Sequence, residues 1–416
     1  MSDSVSDLCW NIQSYMGDSL GLWSSCRSIT ERMPFIRTLE LSYDNPVPFD
    51  NPLSFLCSML PRLETVKLPL YGATGTMLCG LSGLRQLREI QLSTHQTRIS
   101  SYHNTEPLSR FDPARFHLPH DAFPALESLS FSSPTVPVAS SFLSHRCFHR
   151  IPLTRLFIRV PLTVGFRSKD VKDFFTLLSR DMAWLEDLEL WFVPSKSEIP
   201  ARIKQMDRIT VEDLGGVRGF TALKKLAFHH AFPLNASNED FRSLAAGLPH
   251  VEVLILNPQP TILRTSAVSL ECLPYFAEFC PALRELGVFV NGNMHLPYPS
   301  GHRFGSTVRF MRFGRSPLPT MAQFDARLSF TRHIAFYFCR STAFTSMETS
   351  IPWDVEYYRW ASSGALLTEV ADSAVHVLCN RLKEIIAIAR AVRDERERLE
   401  SKVTTLQARL QELREP

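Results

Sequence analysis

The feature that most constrains this chain is a nine-residue phrase, Leu60-Pro61-Arg62-Leu63-Glu64-Thr65-Val66-Lys67-Leu68, which returns at intervals along the sequence. Met33-Pro34-Phe35-Ile36-Arg37-Thr38-Leu39-Glu40-Leu41 is an earlier copy, and Phe123-Pro124-Ala125-Leu126-Glu127-Ser128-Leu129-Ser130-Phe131 a later one. Leu248-Pro249 to Leu256 and Cys280-Pro281 to Val288 keep the same proline. Each copy sets apolar residues at i, i+3 and i+5. The last two alternate as a strand with one buried face does.

Indexed by its first apolar residue, the pattern occurs at Ile36, Leu63, Leu87, Leu126, Leu153, Leu185, Leu223, Val251, Leu283 and Val308. The successive spacings are 27, 24, 39, 27, 32, 38, 28, 32 and 25 residues. Their mean, about 30, falls in the period range of leucine-rich repeats, in which one strand recurs in place and neighbouring units share a core. Amphipathic stretches fill the gaps. Residues 168–184 carry Val171, Phe174, Phe175, Leu178 and Met182 at helical spacing. Ser237-Asn238-Glu239-Asp240 before Phe241, Leu244 and Leu248 reads as a capped helix, and 267–279 as another. The recurrent proline is expected to stop each helix and extend the residue before it. The expected fold is therefore α/β: an irregular leucine-rich-repeat solenoid (horseshoe) with a long C-terminal coiled-coil-like helix. Its parts are an N-terminal cap of one or two helices, or a remnant segment (1–33), the solenoid (34–318), a C-terminal capping region (319–362) and the long helix (363–416). Phe324, Leu328, Phe330, Ile334, Phe336, Tyr337 and Phe338, with Trp353, Tyr357, Tyr358 and Trp360, supply the second cap.

The Pro-x-Leu-x-x-Leu-x-Leu units, with Phe313-Gly314-Arg315-Ser316-Pro317-Leu318, resemble the repeat portion of fungal F-box/leucine-rich-repeat proteins over residues 33–320. That resemblance implies a horseshoe that recognises proteins, with a role in selecting substrates for ubiquitin ligation. The Asn that such repeats place three residues after the last strand Leu is matched only by Asn291. No Leu-Pro-x-Glu-like opening of an F-box precedes Met33.

The C-terminal stretch is of another kind. Val375, Leu378, Leu382, Ile385, Ala389, Val392, Arg396, Leu399, Val403, Leu406, Leu410 and Leu413 step by threes and fours, an a/d heptad seam with one charge at Arg396. In a parallel homodimer the flanks would oppose Glu395 to Glu400 and Arg409 to Arg414. An antiparallel pair opposes Glu395 to Lys402 and Arg393 to Glu400, which favours antiparallel self-pairing or a different partner helix. The alternative is a single helix folded back on the repeats.

Composition narrows the function classes. The formal net charge is +3, from 45 Lys and Arg against 42 Asp and Glu, so nothing global calls for nucleic acid or a membrane surface. The nine cysteines are scattered singly without a C-x-x-C pair, and no apolar run reaches membrane-spanning length. With a polar, acidic start, these features place the chain in the cytosol or nucleus. Gly72-Ala73-Thr74-Gly75-Thr76 lacks the Lys-Ser/Thr of a phosphate-binding loop and reads as a turn. His145-Arg146-Cys147-Phe148-His149 is short of the four ligands of a structural zinc site and reads as a loop. No metal, cofactor or catalytic motif is expected, and the chain is read as a non-enzyme.

What varies between copies is the set of strand residues pointing away from the core. Early copies offer Thr38, Glu40 and Ser42, then Glu89, Gln91 and Ser93, then Ser128, Ser130 and Ser132. The middle copies offer Arg155, Phe157 and Arg159, then Asp187, Glu189 and Trp191, and later ones His229, Ile255 and Phe289. Phe, Trp and Arg are the types that anchor protein interfaces. Arg155, Phe157, Arg159, Trp191 and Phe289 are thus the expected partner-binding strip on the concave face. The alternative function is an enzyme whose site lies in the insertions near 95–120, 192–210 or 290–307.

Overall fold

The structure is a computed structural model. It describes residues 5–12, 19–43, 50–70, 73–93, 116–162, 165–194, 207–317 apart from 263, 265, 295, 298 and 306, then 329–330, 332–334, 337, 346–348, 391 and 395–407. The chain divides into two compact units, Met1–Phe232 and Pro233–Pro416. The boundary falls inside the stretch that the sequence reading treats as one solenoid.

In the first unit eight strands run in parallel: β1 (Asp7–Ile12), β2 (Thr38–Tyr43), β3 (Thr65–Pro69), β4 (Glu89–Ser93), β5 (Ser128–Ser132), β6 (Arg155–Leu162), β7 (Asp187–Pro194) and β8 (Lys225–His229). Each pairs with the next in sequence order. Parallel neighbours require a crossover, and helices supply most of them. These are α1 (Ser19–Arg32), α2 (Asp50–Ser58), α3 (Gly75–Ser82), α4 (Val136–Leu143) and α5 (Ser168–Asp181). α2 packs between α1 and α3. The second unit repeats the plan with α6 (Asn238–Ala246), α7 (Leu273–Phe279) and parallel strands β9 (Val253–Leu256), β10 (Glu285–Val288), β11 (Phe310–Arg312) and β12 (Ser346–Glu348).

All ten copies of the apolar pattern form strands, and their thirty apolar positions, three per copy, are each at most 3% exposed. Two strands lie outside the pattern. β1 sits in the segment expected to be a helical cap, and β12 in the segment expected to close the far end. β1 carries the weaker alternation of Leu8, Trp10 and Ile12, of which only Ile12 is buried. Of the second cap's residues, Phe330, Ile334 and Tyr337 are buried, with Phe330 5.7 Å from Phe313 ring to ring. Phe324, Leu328, Phe336, Phe338, Trp353, Tyr357, Tyr358 and Trp360 lie outside the described residues.

The recurrent proline has a more local task than ending a helix. Leu63 N–H donates to Leu60 O at 3.1 Å, Leu126 to Phe123 O at 3.1 Å and Leu283 to Cys280 O at 3.1 Å. Proline is therefore the second residue of a four-residue turn, where its fixed φ is already correct. Where the copy lacks proline the turn still closes, as Leu185 N–H to Met182 O at 3.1 Å shows. From this turn the chain enters the strand by aiming two consecutive N–H groups at one carbonyl of the preceding repeat. Glu64 and Thr65 donate to Arg37 O (2.7 and 2.9 Å), Arg88 and Glu89 to Glu64 O (2.8 and 3.0 Å), and so on to Lys224 and Lys225 on Glu186 O (2.8 and 2.9 Å). This backbone ladder fixes the register that the missing asparagines leave open.

Side chains at the same entry position pair across repeats: Arg37–Glu64 at 3.4 Å, Arg88–Glu127 at 3.3 Å and Glu186–Lys224 at 2.7 Å, with Glu252–Arg284 at 3.3 Å in the second unit. They are exposed, so each contributes about 0–1 kcal/mol, and their use is in specifying neighbours.

The phrase Phe313-Gly314-Arg315-Ser316 joins parts of the second unit. Gly314 has φ +51°, and a Cβ there would collide with the Pro258 carbonyl. Arg315 N–H donates to Pro258 O at 2.9 Å, and its Nη1 to Thr261 O at 3.1 Å. Ser316 Oγ donates to Phe313 O at 2.5 Å and accepts from Val290 N–H at 3.0 Å. α6 begins on a capping box, in which Ser237 and Asp240 satisfy each other's backbone N–H groups.

Candidate functional site

Because the strands are parallel and in register, outward residues of successive repeats line up in rows. One row in the first unit runs Ser128, Arg155, Asp187, Lys225; the next Ser130, Phe157, Glu189, Ala227; the third Ser132, Arg159, Trp191, His229. Helices and inward side chains occupy the other face of this sheet.

Three rings lie across the last two rows. The Phe157 and Trp191 rings meet edge to face with centroids 5.2 Å apart, and Trp191 meets His229 at 5.0 Å and 64°. All three residues are half-buried. Phe157 and Trp191 are diagonal neighbours on adjacent strands, close enough for aromatic groups to touch. Arg155 and Arg159 flank Phe157 on its own strand. On the neighbouring β5, Ser128 and Ser132 are buried, although strand parity put them outward.

Beside the rings lies a charged cluster. Lys225 Nζ bonds Glu189 Oε1 and sits 3.4 Å from Asp187 Oδ2. Asp187 Oδ1 is buried without a hydrogen-bond partner among the described residues. Burial pushes the Asp187 carboxyl above the usual carboxylate range, against the pull of the Lys225 charge. For Lys225, burial disfavours the ammonium, but the hydrogen bond to Glu189 and the charges of Glu189 and Asp187 outweigh it and raise its pKa. The early strands display satisfied polar groups instead, such as Glu40 with Lys67 at 3.7 Å and Glu89 with Gln91 at 2.8 Å.

The structure therefore brings together Arg155, Phe157, Arg159 and Trp191 of the expected strip. Phe289 does not join them. It belongs to the second unit, lies one residue past the end of β10 and is 4% exposed. The alternation that put it outward stops with the strand at Val288, and the chain beyond is pinned through Val290 N–H on Ser316 Oγ and Asn291 N–H on Val268 O at 2.8 Å. Ile255, also expected outward, is 6% exposed and leans over Gly287. Lys225 was missed, although it occupies the outward position two residues after Leu223, the one that Asp187 holds after Leu185. Of the pair His229-His230, His229 faces outward and His230 is buried.

The other candidates resolve locally. Thr74 caps α3 by accepting from Met77 N–H at 3.3 Å, and Gly80 is small because Ser54 of α2 packs against it. Residues Arg146–His149 form a 3-10 turn, with His145 Nδ1 3.2 Å from Cys147 Sγ and His149 Nε2 3.6 Å from Asp181 Oδ2. Among the described residues no three His, Cys, Asp or Glu are placed to hold a metal ion. Residues 94–115 and 195–206, most of two of the insertions, lie outside the described residues.

In the tail, residues 395–407 are helical, and Leu399, Val403 and Leu406 are 52–59% exposed. Arg396, the charged seam residue, pairs along the helix with Glu400 at 2.7 Å. Leu382, Ile385, Val392, Leu410 and Leu413 lie outside the described residues.

Fold and site together define a class: parallel-strand repeats of leucine-rich type, unit by unit, with aromatic and basic groups on one sheet face. No family model matches the chain, and no curated protein does. Among solved structures it is similar to the crystal structure of the Rad7 and Elc1 complex in yeast, at 12% identity and a TM-score of 0.45, over 79% of this chain and 72% of that one. Among the described residues no helix is long and apolar enough to cross a membrane.

Proposed function

We propose that the chain is a protein-interaction scaffold, not an enzyme, whose partner docks on the concave sheet face of the first unit. The observation that carries this reading is the half-exposed Phe157–Trp191–His229 ring group bordered by Arg155 and Arg159. Aromatic and arginine side chains at the centre of a patch are the usual energetic anchors of interfaces. The partner fits best if it offers an apolar side chain to the rings and carboxylates to the arginines. The sequence resemblance extends the proposal to substrate recognition linked to ubiquitin ligation, in the cytosol or nucleus.

Affinity purification with the native chain and with the Phe157→Ala/Trp191→Ala pair tests it. Loss of a partner upon substitution is expected, since anchor residues carry about 2 kcal/mol or more each. An unchanged set of captured proteins refutes the docking face, and absence of any Skp-type adaptor or cullin removes the ligase extension alone. The enzyme alternative would require titratable groups converging in an insertion loop. For the tail, the exposed Leu399, Val403 and Leu406 support self-association or a partner helix. Equal sedimentation masses, per chain, for the full protein and a version ending at Leu367 would refute self-association.

A further inference from the structure

A second, chemically distinct site lies wholly inside the second unit, in a cavity of about 460 Å³ that opens to solvent. That size is within the roughly 300–1,000 Å³ range of small-ligand pockets. Its wall carries the carboxylates of Glu239, Glu271 and Glu278, the rings of Tyr275 and Tyr337, and His333.

Three carboxylates alone would not define a site. The independent observation is His333, which is 1% exposed yet lines the cavity. Its Nδ1 sits 2.8 Å from the Ser329 carbonyl, so Nδ1 carries the proton and Nε2 holds the lone pair. Nε2 has no partner among the described residues. Burial lowers the pKa of this imidazole, which keeps it neutral and Nε2 an acceptor. Glu271 adds to this. Its Oε2 accepts from Asn238 Nδ2 at 3.2 Å and Ser269 Oγ at 3.3 Å, and Oε1 has no hydrogen-bond partner among the described residues. The Tyr337 hydroxyl is committed as a donor to Ser300 O at 3.1 Å, so that residue offers the cavity its ring.

His302, also in the wall, already lies 3.5 Å from Glu278 Oε2, so among the described residues the groups left over are Glu271 Oε1, Glu278 Oε1, His333 Nε2 and the rings: acceptors, negative charge and aromatic surface. A ligand that satisfies all three is a compact cation with several N–H donors. The protein supplies an internal example at the rim, where Arg242 bonds Glu239 at 3.2 Å and lies 5.6 Å from the Tyr275 ring centroid. The geometry points to a binding site for a guanidinium or amine cation, held by Glu271, Glu278 and His333 Nε2 against the rings of Tyr275 and Tyr337. Its source is either a basic side chain of a protein partner or a free polyamine. This site is separate from the docking face of the first unit and stands or falls without it.

Calorimetric titration of the full chain with Nα-acetyl-L-argininamide, its neutral analogue Nα-acetyl-L-citrullinamide, and spermidine tests the assignment. The argininamide or spermidine should bind and the citrulline compound should not. Saturation by argininamide marks a protein side chain as the source, and saturation by spermidine alone marks a polyamine. Glu271→Gln should weaken binding by about 10- to 100-fold, the worth of one charge-assisted hydrogen bond. Tyr275→Leu serves as the second variant should Glu271→Gln lose its native melting transition. The Phe157→Ala/Trp191→Ala chain should bind as the native one does. Equal binding of the argininamide and citrulline compounds, no heat from either cation at millimolar concentration, or unchanged affinity in the folded cavity variants would overturn the proposal.

Discussion

Lys225→Met is the substitution that best probes the charged cluster of the first unit. It keeps the length of the side chain and removes the ammonium that bridges Glu189 and Asp187. At 3.4 Å, the Lys225–Asp187 separation, two unit charges attract by about 5 kcal/mol at an effective dielectric of 20. Most of that is offset by the cost of desolvating the groups, whose side chains keep 33%, 29% and 21% exposure for Lys225, Asp187 and Glu189. Solvent screening reduces the remainder further, so the expected net loss is about 1–2 kcal/mol at neutral pH. The sign with pH is definite. Asp187 is already raised by burial, and without the ammonium it rises further, so the native variant binds protons more readily than its unfolded chain does. The deficit should therefore shrink as pH falls through the carboxylate range. Urea midpoints at pH 7 and pH 4.5, native against variant, read this directly. A deficit that is absent at pH 7, or one that grows in acid, would refute the bridging role.

Two further outcomes are expected. His230 is fully buried, its pKa pushed down to about 4 by burial, while its Nδ1 accepts from Phe232 N–H at 3.2 Å. A depressed folded-state pKa gives stability that is present above the unfolded value near 6.5 and lost as pH falls toward 4, about 3 kcal/mol in all. His230→Asn, which keeps an acceptor, should flatten the acid side of the stability profile, and an unchanged slope argues against it. Gly314→Ala should destabilise the second unit by about 2 kcal/mol or more, since it forces a positive φ on a side chain that meets the Pro258 carbonyl. A thermal transition of that unit within a degree of the native one would contradict this.

The repeat was legible because three apolar positions per copy, at fixed spacing, have no stable place except a shared core. That is why ten copies could be indexed and ten strands follow. β1 and β12 were not legible, since an end strand buries fewer residues and its pattern thins, as Leu8 and Trp10 show by remaining half-exposed. Within the site, Arg155, Phe157, Arg159 and Trp191 were legible from strand parity alone. Phe289 failed because parity holds only while the strand lasts, and β10 ends at Val288. The cavity in the second unit left no sequence signal at all. Its groups come from residues spread from Asn238 to Tyr337, on helices and on a proline-rich connection.

By itself the sequence determined the inward positions of the ten copies, and with them where those ten strands and their turns fall. These depend on local spacing, on proline's fixed φ and on the transfer of apolar groups from water. Tertiary structure decided which outward residues become neighbours. Phe157, Trp191 and His229 are 72 residues apart from first to last, and they meet because parallel strands in register convert distance along the chain into adjacency across a sheet. It also decided that Lys225 answers two carboxylates and that, among the described residues, His333 Nε2 is left as an unused acceptor. Such pairings depend on the packing of side chains from different repeats, which no single copy of the motif contains.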